Sequence, residues 1–459
     1  MATDFLDRSH SVADAGFSRW LVPPAALCIH LAIGQAYAFS VFTKPMAQLI
    51  GVTAPARGDW TVAELGWIFS LAIVFLGLSA AFGGKWVEEA GPRKAMFVSA
   101  LCFSGGLLLA GGGVALHALW LVFLGYGVVG GIGLGIGYIS PVSTLIKWFP
   151  DRPGLATGTA IMGFGGGALI GAPLAVALMK FYAGHTTAGA PASTSVAPTM
   201  LTMGVIYLCF MLVGVFIVRI PARDYRPAGY VSTATPGKMI TTQQVLVNSA
   251  VRTPQFYLLW GILFLNVTAG IGVLGQASLM IQEMFPGRIT VAAAAGFVGL
   301  LSLFNMGGRI VWASTSDFIG RRPTYMIFFA LGALIYALIP TLGHAGNVLL
   351  FVLAYGVILS MYGGGFATIP AYLRDLFGTL NVGAIHGRLL TAWSAAGVAG
   401  PVLVNYIRQY QIDHGVAKAD AYSTTMYIMA GLLVLGFVCN FFVKPLAERH
   451  YTTSAPAVA

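Results

Sequence analysis

The sequence predicts an all-α integral membrane protein with twelve transmembrane helices in two six-helix halves. Three observations carry the prediction. Of 459 residues, 57% are hydrophobic and only 9% charged, and the mean hydropathy is +0.81, whereas a soluble domain is about one-quarter charged. Twelve apolar stretches approach or exceed the roughly 20 residues that a helix needs to cross the hydrocarbon layer. The longest polar interruption falls between the sixth and seventh stretches, so they divide evenly.

Residues 1–19 form a first tail. It holds Asp4, Asp7, Arg8 and Asp14 and lacks the short apolar core and small-residue cleavage site of a signal peptide, so it reads as cytoplasmic. The N-terminal half, 20–219, holds spans at 20–43, 62–82, 95–115, 118–146, 154–180 and 198–219. A linker over 220–253 contains Arg223, Arg226, Pro227, Pro236 and Lys238. The C-terminal half, 254–444, holds spans at 254–281, 291–314, 324–343, 347–373, 385–408 and 422–444, and residues 445–459 form a second tail.

Orientation follows from the basic residues. Placing both termini in the cytoplasm leaves only Lys44, Arg57, Lys180, Arg288, Arg408 and Lys418 outside, and most other lysines and arginines inside, as the positive-inside rule requires. Localisation to the cell membrane as a multi-pass protein is the expectation. The net charge of +10 sits in these loops and forms no aromatic-interleaved basic face, so nucleic acid is not an expected partner. The partners expected are the lipid bilayer and a small anion, with H+ symport and anion exchange both open, and with the chain acting as a monomer. Cys28, Cys102, Cys209 and Cys439 lie inside apolar stretches without metal-ligand spacing and read as small core residues. No metal and no cofactor is expected. Gly125-Tyr-Gly127-Val-Val-Gly130 matches a dinucleotide fingerprint, but it follows no strand and no ribose-binding acid comes after it, so it reads as helix packing. Pro141 and Pro173 read as bends.

The halves repeat. After the second span the chain reads Gly84-Lys-Trp-Val-Glu88-Glu-Ala-Gly91-Pro-Arg93-Lys94, and after the eighth Ala313-Ser-Thr-Ser-Asp317-Phe-Ile-Gly320-Arg321-Arg322. Each places an acid three residues before a glycine and then a basic pair, 229 positions apart. Glu88, Arg93, Lys94, Asp317, Arg321 and Arg322 are therefore candidate gating residues, whose ion pairs would lock neighbouring helices in one conformation and release them in another.

These paired loops resemble the signature between helices two and three, and eight and nine, of the major facilitator superfamily, and the architectural resemblance covers the chain. Trp148-Phe-Pro-Asp-Arg-Pro-Gly-Leu-Ala-Thr-Gly158 and Asn305-Met-Gly-Gly-Arg309 further resemble the oxalate:formate antiporter family and its relatives, the monocarboxylate transporters. Glu88 and Pro92 depart from the superfamily pattern, and the Gly-Pro-Arg form is similar to that of the antiporter family.

Arg309 is the sharpest signal. It lies eight residues before Asp317, about 12 Å from the helix end at about 1.5 Å per residue, and its span contains no acid ahead of it. An arginine so placed costs about 2.5–3.5 kcal/mol on insertion scales. A guanidinium there suits a substrate carboxylate, which it holds by two charge-assisted hydrogen bonds; a snorkelling or structurally paired arginine is the competing reading. Asn305 shares its face one turn earlier, and Gly307 and Gly308 are expected to clear space beside it. The resemblance places the family's carboxylate-binding arginine at Arg309. It also implies pocket positions at Tyr37, Tyr138, Tyr362, Phe366 and Trp393. In the oxalate-specific members a lysine stands where this chain has Trp393, and many monocarboxylate transporters have an aspartate where it has Asn305.

His30 is a candidate proton carrier, seven residues before Tyr37 on one helix face; a hydrogen-bonded packing histidine competes with that reading. His386 and Arg388 read as gate or interface residues. The expected function is secondary transport of small organic monocarboxylates of the lactate, pyruvate or formate type by alternating access, with Arg309 on the carboxylate. Oxalate:formate exchange is the alternative. A membrane enzyme or a sensor is a remote one: there is no H-E-x-x-H or G-x-S-x-G motif and no soluble output segment in the sequence. The expectation is a transporter and not an enzyme.

Overall fold

The computed structural model describes residues 5–14, 16–51, 55–186, 192–222, 225–231 and 239–452; Arg223, Pro236 and Lys238 of the linker lie outside them. Among the described residues there are twelve helices long and apolar enough to cross a membrane and no β-strand. They are α1 (Arg19–Ala38), α2 (Val62–Ala90), α3 (Pro92–Ala115), α4 (Leu119–Trp148), α5 (Pro153–Thr186), α6 (Val196–Ile217), α7 (Pro254–Met284), α8 (Val291–Ile319), α9 (Arg321–His344), α10 (Val348–Phe377), α11 (Val382–Asp413) and α12 (Ser423–Phe441).

Local chemistry sets where several of them begin. Thr61 and Glu64 form a reciprocal capping box: the Thr61 hydroxyl accepts from Glu64 N at 3.2 Å, while Thr61 N donates to the Glu64 carboxylate at 2.8 Å. Such pairing satisfies two of the orphan donors of a helix start. Thr253, Thr290 and Asn347 cap α7, α8 and α10 one way, each side-chain oxygen accepting from the backbone N–H three residues on, and Pro92 and Pro254 occupy a first turn, where a missing N–H costs nothing. Within α4, Phe123–Gly130 is π-helical. The dinucleotide-like glycines are therefore a packing device, with Gly125 seated on the backbone of α3 near Gly106 and Ala110.

The chain forms two compact units, and they part inside the linker, between Arg226 and Pro227. One contains Met1–Phe149, Gly163–Arg226 and His386–Thr391; the other contains Pro150–Met162, Pro227–Ile385 and Ala392–Ala459. The second unit thus includes the start of α5, and the first includes the stretch His386–Thr391 of α11, a division more interleaved than the expected one at 219 and 254. Inside the first unit α1 packs on α4 and α6, α2 on α4 and α3 on α6. Inside the second, α7 packs on α10 and α12, α8 on α10 and α9 on α12. The pairings are the same with six added to each helix number, so the loop repeat extends to packing.

At the repeated loops the backbone is also the same. Gly91 stands between α2 and α3 at φ +83, ψ 166, and Gly320 between α8 and α9 at φ +92, ψ 158. That region belongs essentially to glycine, and it turns one helix into the next with a single residue. The cysteines need a correction. Cys28, Cys102 and Cys439 are half-buried, and Cys209 is exposed, because an outward apolar face meets lipid as readily as a core.

Candidate functional site

Arg309 is fully buried on α8. Its Nε donates to Asn305 Oδ1 at 3.1 Å, the contact that the spacing of four residues provides, and its Nη1 donates to the Ile161 carbonyl of α5 at 3.0 Å. Glycines allow these approaches. A Cβ on Gly158 would lie 2.7 Å from the Arg309 carbonyl, and one on Gly363 would lie 2.6 Å from Asn305 Oδ1. The room expected from Gly307 and Gly308 is only half there: a Cβ on Gly307 would meet no heavy atom within 4 Å beyond its own helix backbone, but Gly308 is pressed against Ser360 of α10, where a Cβ would come within 2.1 Å of the carbonyl oxygen.

The second unit gathers the remaining expected residues of that half around the arginine. The guanidinium lies 5.4 Å from the Phe366 ring centre, a cation–π separation. Phe366 in turn meets Trp393 at 4.5 Å and Tyr362 at 5.2 Å, edge to face. All three rings are buried. Arg309, Asn305, Tyr362, Phe366 and Trp393 therefore form one cluster of a charged donor against an aromatic wall, with three rings supplied by α10 and α11.

The first unit gathers the others. Tyr37 meets Phe164 edge-on at 5.1 Å, Phe164 meets Tyr138 at 5.5 Å, and Tyr138 meets His30 at 5.4 Å. Between His30 and the end of the span, α1 tightens to a 3-10 helix over Gly34–Ala38, which includes Tyr37. His30 Nε2 donates to the Tyr138 carbonyl at 3.2 Å, which supports the packing reading of that ring. Sequence reasoning missed Phe164, which bridges the two tyrosines, and it read His386 as a gate or interface residue. His386 is 1% exposed and lies 5.8 Å from the Tyr138 ring.

The gating candidates have unequal surroundings. Asp317 accepts from Gly154 N at 2.8 Å and Leu155 N at 2.9 Å and pairs with Arg321 at 2.6 Å. A carboxylate at the first turn of α5 satisfies orphan donors and complements the helix dipole. Arg321 also pairs with Asp375 at 3.0 Å, and Arg374 pairs with Asp375 at 3.0 Å. Arg322 donates to the Phe441 carbonyl at 2.5 Å. In the first unit Glu88 pairs with Lys147, and Arg93 donates to the carbonyls of Phe5 at 3.2 Å and His10 at 2.7 Å. Lys94 is exposed. At the other end of α7, Glu283 pairs with Arg408 and accepts from Tyr422 at 2.6 Å. Burial opposes the charged form of Glu283, but these hydrogen bonds and the charges of Arg408 and Lys418 hold its carboxyl below the usual range.

Twelve membrane helices in two repeated units, each with a glycine-turned charged loop, define a secondary transporter by architecture. The Major Facilitator Superfamily model matches residues 15–401, and the chain belongs to that superfamily; it is a membrane transporter and not an enzyme. It is 28% identical to the oxalate:formate antiporter of Oxalobacter formigenes over 94% of this chain and 93% of that protein. It is 23% identical to apicoplast pyruvate carrier 1 of Toxoplasma gondii over 85% and 77% of the respective chains. Among solved structures, the fucose:proton symporter of E. coli superposes with a TM-score of 0.67 at 13% identity, covering 93% of this chain and 99% of that one, a likeness of fold.

Proposed function

We propose that this transporter carries small organic monocarboxylates of the lactate, pyruvate or formate type across the cell membrane by alternating access, with both termini in the cytoplasm. The observation that carries the reading is the buried Arg309 guanidinium, held in place by Asn305 and the Ile161 carbonyl and faced by Phe366. A held guanidinium presents its donors to a carboxylate without further loss of rotamer freedom, and the aromatic wall suits a short carbon skeleton. Binding the anion neutralises the arginine and lowers the cost of moving that charge through an apolar barrier. The networks at Glu88–Arg93 and Asp317–Arg322 then hold or release the helix ends. The likeness to a pyruvate carrier and to the oxalate:formate antiporter supports carboxylates as the class.

Oxalate:formate exchange is the second reading, favoured by the 28% identity to that antiporter. Against it stands Trp393, buried against Phe366 where the oxalate-specific pattern has a lysine. A second carboxylate left without a cation in a low-dielectric site costs several kcal/mol. Proteoliposomes loaded with formate and challenged from outside with labelled formate, lactate, pyruvate or oxalate separate the readings. The monocarboxylate reading expects exchange with the first three and little with oxalate; preferential oxalate uptake contradicts it.

A further inference from the structure

The repeat supplies a frame for judging His386. Thr157 and His386 lie 229 positions apart, as do Tyr138 and Ala367, and as do Gly158 and Gly387. In the second unit the Thr157 hydroxyl donates to the Ala367 carbonyl at 2.7 Å, and Gly158 is pressed against the Arg309 carbonyl. In the first unit His386 lies against Tyr138, and Gly387 is pressed against the Ala80 carbonyl, where a Cβ would come within 2.0 Å. The same helix start is thus packed in the same manner twice. One copy carries a satisfied hydroxyl, the other an imidazole.

That imidazole is 1% exposed, and neither ring nitrogen has a hydrogen-bond partner among the described residues. Buried polar groups are nearly always paired, and an exception calls for an explanation. An ionisable side chain inside a membrane span is a functional site by default. Histidine is the side chain whose charge changes in the physiological range. The groups around it are few. His30 of α1 lies on the other contact of the Tyr138 ring, 5.4 Å from it, with its Nε2–H committed to the Tyr138 carbonyl. Tyr138 of α4 is the neighbouring phenol. On its own helix Arg388, two residues on, is the next charge, and on α2, beyond Ala80, Lys85 is largely exposed and lies 3.5 Å from Glu89.

We propose that His386 is the proton-binding site of this transporter, taking up one H+ on a ring nitrogen for each monocarboxylate anion carried and releasing it on the opposite side. The step balances. The imidazole becomes imidazolium when its surroundings open to water on one side, and it returns to imidazole on the other, so that one anion and one proton cross together with no net charge. With His30 close by and hydrogen-bonded to a carbonyl, a second positive charge in the cluster is disfavoured by like-charge repulsion, which limits the site to one proton. The assignment rests on the carboxylate reading above and makes the protein a symporter under a proton gradient.

The test uses full-length protein in liposomes containing a pH-reporting dye, with labelled lactate, pyruvate and formate. Counterflow between equal acid concentrations requires no net proton movement; uptake driven by an imposed inward proton gradient does. In the parent protein, gradient-driven uptake should acidify the lumen with one proton per anion. His386→Gln should lower gradient-driven uptake at least tenfold relative to its own counterflow rate and abolish the coupled acidification, and His386→Asn provides a second, smaller replacement should the first fail to fold. An unchanged ratio with intact acidification in either variant overturns the proposal. So does a parent protein that is active in counterflow but whose gradient-driven uptake brings no coupled acidification, a result that leaves the carboxylate reading standing. Absence of counterflow with every acid overturns that reading and this one with it.

Discussion

Arg309 and Ala80 occupy equivalent places in the two halves, 229 positions apart, and each offers its carbonyl to a glycine from a helix start, Gly158 in one unit and Gly387 in the other. The backbone contact is common to both; the side chains are not. At 309 a guanidinium projects beside Asn305, whereas the counterparts in the first half are Ala80 and Leu76. The repeat therefore fixes how helices approach, and the buried guanidinium is added to one copy alone. The loops teach the same lesson. Gly91 and Gly320 share one backbone geometry, yet Asp317 belongs to a chain of buried pairs that runs through Arg321 to Asp375 and Arg374, while Glu88 has Lys147, and Arg93 is held by carbonyls of the preceding tail segment.

The largest difference should come from the arginine. Removing one member of a buried charge-assisted contact costs about 3–5 kcal/mol, so Arg309→Ala should lower uptake of labelled monocarboxylate by roughly 100-fold or more in protein that still inserts. Next come the loop acids. Asp317→Asn removes the charge facing Arg321 and weakens the hold on two backbone N–H groups, and it should reduce transport and melting temperature clearly more than Glu88→Gln, whose partner Lys147 is 26% exposed. Equal losses would mean that the two networks carry the same load despite their different burial.

The glycine contacts should rank by overlap. A methyl group at 387 would come within 2.0 Å of a carbonyl oxygen and at 158 within 2.7 Å. Gly387→Ala should therefore destabilise more than Gly158→Ala, each within the range of about 1–3 kcal/mol typical of overpacking, as read by thermal melting in detergent. The smallest effect belongs to Glu283. Its partner Arg408 corresponds to Met179 in the first half, so this ion pair too is confined to one copy. Because the folded carboxyl is held below its ordinary value of 4.5, its contribution is fully present above that value and is lost as pH falls through the lower folded one. The melting-temperature gap between the parent protein and Glu283→Gln should be constant near neutral pH and close as pH drops below about 4.5.

The helices were legible because hydrocarbon thickness and loop charge constrain a membrane chain more tightly than water constrains a soluble one. Arg309 and Asn305 were legible because a spacing of four puts them on one face, and the glycine-turned loops because only glycine adopts their backbone. Less was visible where lipid and core ask for the same residues. Cys209 lies exposed within an apolar run, and composition alone does not say which face turns inward. The Ile161 carbonyl that holds Arg309 is a backbone atom of another helix, and no residue type announces it. His386 sits beside Arg388 and reads from sequence as a gate or interface residue; its burial follows from Gly387 seating on Ala80, a contact visible only when the two halves are laid over each other. Phe164 was hidden among the glycines of α5.

The central claim is that Arg309 binds the carboxylate, and equilibrium binding tests it most directly because it needs no assumption about coupling or direction. Calorimetric titration of the purified protein with lactate, pyruvate and formate should show saturable binding to the parent protein. Affinity should fall about tenfold in Arg309→Lys, which keeps the charge and loses the fork, with no measurable binding in Arg309→Ala. Undiminished affinity in a folded Arg309→Ala protein would contradict the account.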